Sequence, residues 1–422
     1  MNKNSDIIAL NNGLTIIHEQ SSNASSTILE LTIRVGGRDD DDQTFGMAHF
    51  VEHILANAIE TRIRGFSWVG NYMLDTFEAA TDQEKTTYGF AVAKEDGPEA
   101  LTLIMSVFDV AITQDIIDQE KAVVTEELLG FLDEEMTPSQ LHFAKVHYGD
   151  SPLGRGTALG TLQIIESFTF QNVVDYLKRY YHRSQAYLTV TGSFDLPTLT
   201  ELLESGPRTV TESVAESKPA ASPDPKTAGL LSFFKQSGRQ NRIIFAGKHT
   251  VDTPGQAVEL MVLMGLLQQY LEYEGRRQQL FYGLSASYSA YRDHVDVVIE
   301  SQCESSKTVE YCKWLFETLR NFENQLTTDI VAAYKANLVK QTRLSMHDPK
   351  VMLDNLAWYY YYFGQVVSNE FEIELIKNIE VENIRQRYIR LLTENLSTLV
   401  VAGSTTNVTR GEIKSLKDGF TL

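Results

Sequence analysis

Tyr187-Leu-Thr-Val-Thr-Gly192-Ser193 and Ser397-Thr-Leu-Val-Val-Ala-Gly403-Ser404 are two versions of one phrase. Each is an apolar, β-branched run of strand type closed by Gly-Ser. Each follows a helical stretch, at 170–181 and at 382–392. The two glycines stand 211 positions apart, and a looser pair, Gly46-Met-Ala-His and Gly255-Gln-Ala-Val, stands 209 apart. Nearly equal offsets point to an internal duplication, at a period far longer than that of a solenoid. The halves are therefore expected to be two copies of one domain.

The segment between them supports this division. Residues 205–229 carry Pro207, Pro219, Pro223 and Pro225 among Ser, Ala, Lys and Glu. Such a composition cannot bury enough apolar surface to fold on itself and reads as an exposed tether. The expected domains are thus 1–204 and 230–422, joined by a linker at 205–229. Strands are expected at 13–19 and 26–35, and helices at 49–58, 116–132, 257–273, 308–322 and 328–343. Strands and helices mixed without strict alternation predict an α+β class, each domain a mixed β-sheet packed with helices.

At 422 residues the chain is too long for one ordinary core. Its 43% apolar and 22% charged residues are those of a soluble globular protein. No apolar run approaches the roughly 20 residues of a membrane span, and the N-terminal stretch has no secretory h-region. Two cysteines, Cys303 and Cys312, are too few for a disulfide framework and point to a reduced, cytoplasmic setting. A net charge of −19 argues against nucleic acid, whose phosphates need clustered Lys and Arg. The run Asp39–Asp42 lacks the Gly and Glu spacing of a calcium loop and reads as a solvated turn.

The chemistry concentrates in Gly46-Met-Ala-His-Phe-Val-Glu-His53, which contains H-x-x-E-H. On a helix His49 and His53 lie one turn apart on one face, and Glu52 projects beside them. Two imidazoles can hold one zinc ion while the carboxylate addresses a water, the inverse of the H-E-x-x-H order. Ala48, Val51, Ile54 and Leu55 imply a buried helix, where two His and a Glu need a reason. A catalytic zinc takes a third protein ligand. Glu120 and Glu127, seven positions apart and so on one helix face, are the available carboxylates, with Glu126 as a neighbouring register.

These segments resemble the pitrilysin/insulinase family of inverted-zincin metallopeptidases, in the half-size form related to mitochondrial processing peptidase. The resemblance is carried by Leu10-Asn-Asn-Gly-Leu-Thr15, Val35-Gly-Gly-Arg38, Gly46–His53, Glu120-Lys-Ala-Val-Val-Thr-Glu-Glu127, Pro152-Leu-Gly-Arg155 and Leu159-Gly-Thr161. It implies one Zn2+ held by His49, His53 and Glu127, Glu52 as general base, and Glu120 as a supporting carboxylate. It implies a peptide substrate, paired as an extended strand along Glu78, Ala79 and Ala80. Family members have Asn where Glu78 stands.

A second departure lies in the other half. The family holds the substrate carbonyl with an Arg and a Tyr seven positions apart. Aligned on Gly283-Leu284, these fall on Gln279 and Ala286, while Arg277 and Tyr288 are near but wrongly spaced. His49, Glu52 and His53 themselves fall on Val258, Met261 and Val262. The expectation is a zinc-bearing endopeptidase subunit whose partner is a homologous half-size subunit carrying the Arg/Tyr pair, as a heterodimer rather than a homodimer. The rival readings are a non-catalytic scaffold subunit of the same fold and a zinc hydrolase of small molecules. Trp358–Phe363 is expected to pack in a helix, and His142 and His147, not at metal spacing, to be surface residues.

Overall fold

The computed structural model describes residues 5–21, 24–64, 71–204, 230–404 and 409–420; the expected linker at 205–229 lies outside them. Among the described residues, eleven strands form two sheets. The first holds β1 (Ser5–Ala9), β2 (Thr15–Gln20), β3 (Ser26–Ile33), β4 (Phe77–Thr81), β5 (Thr86–Ala93) and β6 (Ala186–Gly192), in the order β1-β2-β6-β3-β5-β4. The second holds β7 (Leu231–Lys235), β8 (Gln240–His249), β9 (Gly283–Ala290), β10 (Val295–Glu304) and β11 (Leu396–Gly403), in the order β7-β11-β8-β10-β9.

With β1 set aside, the two orders are the same. In both, the first pair (β2 with β6, β7 with β11) is parallel and every later pair antiparallel. The duplication read from Gly192 and Gly403 is thus a duplication of topology, and the fold is the expected α+β one with mixed sheets. Both glycines end their strand in the left-handed half of φ, at +99° and +138°. A Cβ on Gly192 would lie 2.3 Å from the Ser26 carbonyl oxygen, and one on Gly403 would lie 2.2 Å from Asn241 Oδ1. A side chain at either position would separate the strand end from its neighbour.

The chain forms two compact units: Met1–Thr137 with Thr157–Ser217 and Leu344–Phe371, and Pro138–Gly156 with Lys218–Arg343 and Glu372–Leu422. One segment of each half of the sequence therefore belongs to the other half's unit, which local pattern does not announce. In the first unit, β6 is buried along its whole length because both faces of the sheet are covered. Leu188 and Val190 join Leu31, Tyr88 and Phe90 in a core with Phe50, Val51, Ile54 and Leu55 of the helix Met47–Arg64. On the other face Ile17 and Tyr187 meet Leu356 and Ala357 of the helix Pro349–Phe363, which contains the aromatic run. Tyr360 packs edge-on against Tyr187 there, and Tyr359 of the same helix is buried.

In the second unit, His147 corrects the expectation of a surface residue. It is 1% exposed, with Nε2 3.2 Å from Asp296 Oδ1 and Nδ1 3.0 Å from Thr398 Oγ1. Asp296 also pairs with His294 Nε2 at 3.3 Å and accepts from the Tyr148 hydroxyl. Burial pushes the Asp296 carboxyl up, but His147 and His294 hold it well below the usual carboxylate range. His142 is half-buried, 2.7 Å from Ser232 Oγ. His147 departs from the expectation because helical spacing reveals a metal pair and says nothing of burial against a distant strand.

The acidic run is corrected as well. Asp41 and Asp42 are exposed, but Asp40 is 3% exposed and accepts from the Gly46 and Ala48 amides at 2.9 and 3.3 Å. Tyr176 donates to its other oxygen at 3.0 Å. Burial pushes the Asp40 carboxyl up to about 7 against these donors. A carboxyl raised on folding contributes stability below pH ~4, and loses it as pH rises through about 7. Asp40→Asn keeps an acceptor for both amides and cannot ionise. We expect it to gain on wild type by up to about 3 kcal/mol between pH 5 and pH 8, read from urea unfolding at both pH values. Parallel pH slopes would contradict this.

Candidate metal centre

The helix Met47–Arg64 begins at Gly46, whose φ of +98° turns the chain so closely that a Cβ would lie 2.7 Å from Gly160 Cα. Asp40 occupies the unpaired amides of the first turn, where a carboxylate also complements the helix dipole. The apolar residues Phe50, Val51, Ile54 and Leu55 fix the rotation of the helix against the core. His49 and Glu52 are thereby buried, at 5% and 6% exposure, and His53 is half-buried. The two imidazole centroids are 4.6 Å apart.

The helix Gln114–Asp133 packs beside it, with Thr113 accepting from the Ile116 amide at its start. Its buried residues Ile117, Glu120, Val124 and Leu128 define one face, and Glu127 stands at the edge of that face, half-exposed. Glu127 Oε2 is 3.0 Å from His53 Nε2 and 3.5 Å from His49 Nε2. Ligand-type atoms of His49, His53 and Glu127 all lie within 4.8 Å of one another, the one such cluster among the described residues. Glu126 is exposed and outside this cluster, so of the two neighbouring glutamates it is Glu127 that faces the histidines.

Glu120 is 4% exposed, with Oε2 3.4 Å from His53 Nδ1 and Oε1 accepting from Asn57 Nδ2 at 2.6 Å. Asn57 was not anticipated, although it stands four residues after His53 on the same helix face. Burial lowers the proton affinity of His53, but Glu120 and Glu127 outweigh it and hold its pKa at about 10. The two histidines hold the Glu127 carboxyl well below the usual range. Glu52 is pushed up by burial, partly offset by His53 and His49. Its Oε2 is 4.0 Å from His49 Nε2, beside the three converging groups rather than among them.

The donor set fits a divalent zinc ion. Two imidazole nitrogens and one carboxylate oxygen converge, and the far nitrogen of His53 is anchored on a buried carboxylate. The cluster lines a cavity of about 860 Å³ together with Phe77, Glu78, Ala79, Ala80 and Thr81. Those five residues are β4, at the edge of the first sheet and paired with β5 alone among the described strands. Glu78 and Ala80 alternate outward, while Phe77, Ala79 and Thr81 are half-buried.

In the second unit, Val258 and Val262 are buried in the helix Pro254–Gln278 and Met261 is half-buried. Gln279 caps that helix in a left-handed conformation, and Ala286 lies on β9. Arg277 is exposed, 3.5 Å from Glu274, and Tyr288 pairs in register with Val297.

A family model described as insulinase (peptidase family M16) matches residues 15–158, and one described as the M16 peptidase inactive domain matches residues 167–338. The chain belongs to the M16 peptidase family. It is 23% identical to an uncharacterized zinc protease of Rickettsia bellii, over 95% of this chain and 98% of that one. It is 29% identical to the mitochondrial-processing peptidase subunit beta of Saccharomyces cerevisiae, over 44% of this chain and 40% of the subunit. Among solved structures, the first half of the periplasmic protease PqqL from Escherichia coli has the same fold. The TM-score is 0.82 at 16% identity, covering 99% of this M16 chain and 97% of that one. No helix among the described residues is long and apolar enough to cross a membrane.

Proposed function

We propose that this M16 chain is a zinc endopeptidase subunit that cleaves extended peptides at the His49–His53–Glu127 cluster. The observation that carries the reading is the convergence of these three groups beside the open edge of β4. His49, His53 and Glu127 would hold one Zn2+, and Glu120 would keep His53 oriented through Nδ1. Zinc there would supply Lewis acidity toward a scissile carbonyl and would bring the pKa of water toward neutrality. Glu52, buried and raised in pKa, takes the proton of the attacking water and delivers it to the leaving amine as the C–N bond breaks. The backbone of Glu78, Ala79 and Ala80 offers the free edge along which a substrate strand adds. Glu120→Gln is expected to weaken metal affinity about 10- to 100-fold by chelator competition; an unchanged affinity would remove it from this role.

Aligned on Gly283-Leu284, the family's Arg and Tyr fall on Gln279 and Ala286, so the reading includes a half-size homologous partner that supplies the pair, as a heterodimer enclosing a chamber. The free, buried Cys303 and Cys312 suit a reducing, cytoplasmic location. The same absence favours a second reading, a non-catalytic scaffold subunit. A fluorogenic peptide assay on the zinc-loaded chain, with and without such a partner, separates them. Chelator-sensitive cleavage that rises on adding the partner is expected. A zinc-loaded complex without cleavage would favour the scaffold.

A further inference from the structure

The first unit carries a second cleft, of about 330 Å³, that takes no part in the site above. It lies between residues 107–112 and residues 170–183. Phe108, Val174 and Leu177 form apolar walls, and Arg183 lines it although only 9% exposed. The guanidinium is poorly satisfied among the described residues. Among them Nε is buried without a hydrogen-bond partner, and Nη1 donates to the Leu203 carbonyl at a long 3.4 Å. The Phe108 ring lies 5.8 Å from its central carbon, and no carboxylate pairs with it among the described residues. A guanidinium offers five donors, and a buried cation without a counter-charge is costly. At the rim, exposed Lys178 adds positive charge and exposed Asp109 supplies an acceptor.

We propose that this cleft binds the C-terminal residue of a peptide ending in an apolar side chain. The terminal carboxylate pairs with the Arg183 guanidinium, whose planar fork matches it. The side chain lies against Phe108, Val174 and Leu177, and the last amide N–H donates toward Asp109. A fatty acid shares the carboxylate and the apolar body but has no amide for Asp109 to receive. Occupancy requires no hydrolysis, so this site stands or falls separately from the peptidase reading.

The test titrates the full chain, carrying Glu52→Gln to keep the probe intact, with N-acetyl-alanyl-leucine and with its C-terminal carboxamide. The carboxylate is expected to bind at least about tenfold more tightly. Arg183→Gln should erase that preference. Val174→Trp, which fills the cleft without removing a buried charge, should weaken both probes, and it decides the matter should Arg183→Gln fail to fold. Carboxylate held at the histidine–glutamate cluster would persist in both variants, so only the binding they remove is counted. Equal affinity for acid and amide, unchanged affinity in Val174→Trp, or no saturable binding would overturn the proposal. Octanoate binding as tightly as the dipeptide would overturn the choice of a peptide.

Discussion

Glu52→Gln is expected to retain a full complement of zinc and to lose peptide hydrolysis by about a thousandfold or more, the scale on which a positioned general base acts. The two halves of this expectation come from different atoms. Glu52 Oε2 sits 4.0 Å from His49 Nε2 and is not one of the three converging groups, so the amide leaves the donor set intact. The carboxylate is buried beside the cluster, and Gln fills the same volume without proton affinity. Metal content and initial rate on one purified sample check both. Retained turnover would remove Glu52 as the base, and lost zinc would make it a ligand.

Asp296→Ala is expected to destabilise the protein by roughly 3–5 kcal/mol at pH 7. Asp296 is 2% exposed and is shared by His147, His294 and Tyr148, so its removal takes one buried acceptor from three groups at once. Among the described residues this leaves them only Thr398, Asp293 and Tyr291, respectively, as hydrogen-bond partners. His147 and Tyr148 end the helix Thr137–Tyr148, which from Pro138 onward belongs to the segment of the first sequence half that joins the second unit. The loss should therefore fall on the anchoring of that segment to its sheet. The sign with pH is also determined. A carboxyl held below its usual range contributes stability above pH ~4 and loses it as pH falls further. Wild type should lose ground in acid while the variant, already without the pair, changes less. Burial lowers the pKa of His294, but Asp293 and Asp296 raise it on balance, and that contribution grows as pH falls through the histidine range. Denaturant unfolding at pH 7 therefore gives the size of the loss, and a comparison of pH 5 with pH 2.5 gives the sign. A loss under 1 kcal/mol at pH 7 would contradict the role of Asp296.

Much of this architecture was legible in the chain because it is local. The helix at 308–322 lies where its apolar spacing placed it, and Ser26–Ile33 and Ala186–Gly192 lie within two residues of the expected strands. Gly192 and Gly403 could be matched because a strand end that must adopt positive φ against its neighbour tolerates no other residue. The pairing of His49 with His53 was legible for the same reason, since an i, i+4 relation is one helical turn, whereas the choice of Glu127 over Glu120 as third ligand rests on the family resemblance. What was missed is long-range. Asp40 reads as one of four solvated carboxylates until the helix start folds back over it, and His147 reads as exposed until β10 and β11 enclose it. Neither the reciprocal exchange of Pro138–Gly156 and Leu344–Phe371 nor the burial of Arg183 leaves a periodic mark, because each depends on partners far away in the chain.

The central claim is that His49, His53 and Glu127 form one zinc site, and metal stoichiometry on the full chain tests it most directly. Inductively coupled plasma mass spectrometry should find one zinc per chain in wild type and in Glu52→Gln. It should find almost none in His53→Ala or Glu127→Ala, with the circular dichroism of all four proteins alike. One zinc per chain retained in both ligand variants, or none on wild type purified in excess zinc, would contradict it.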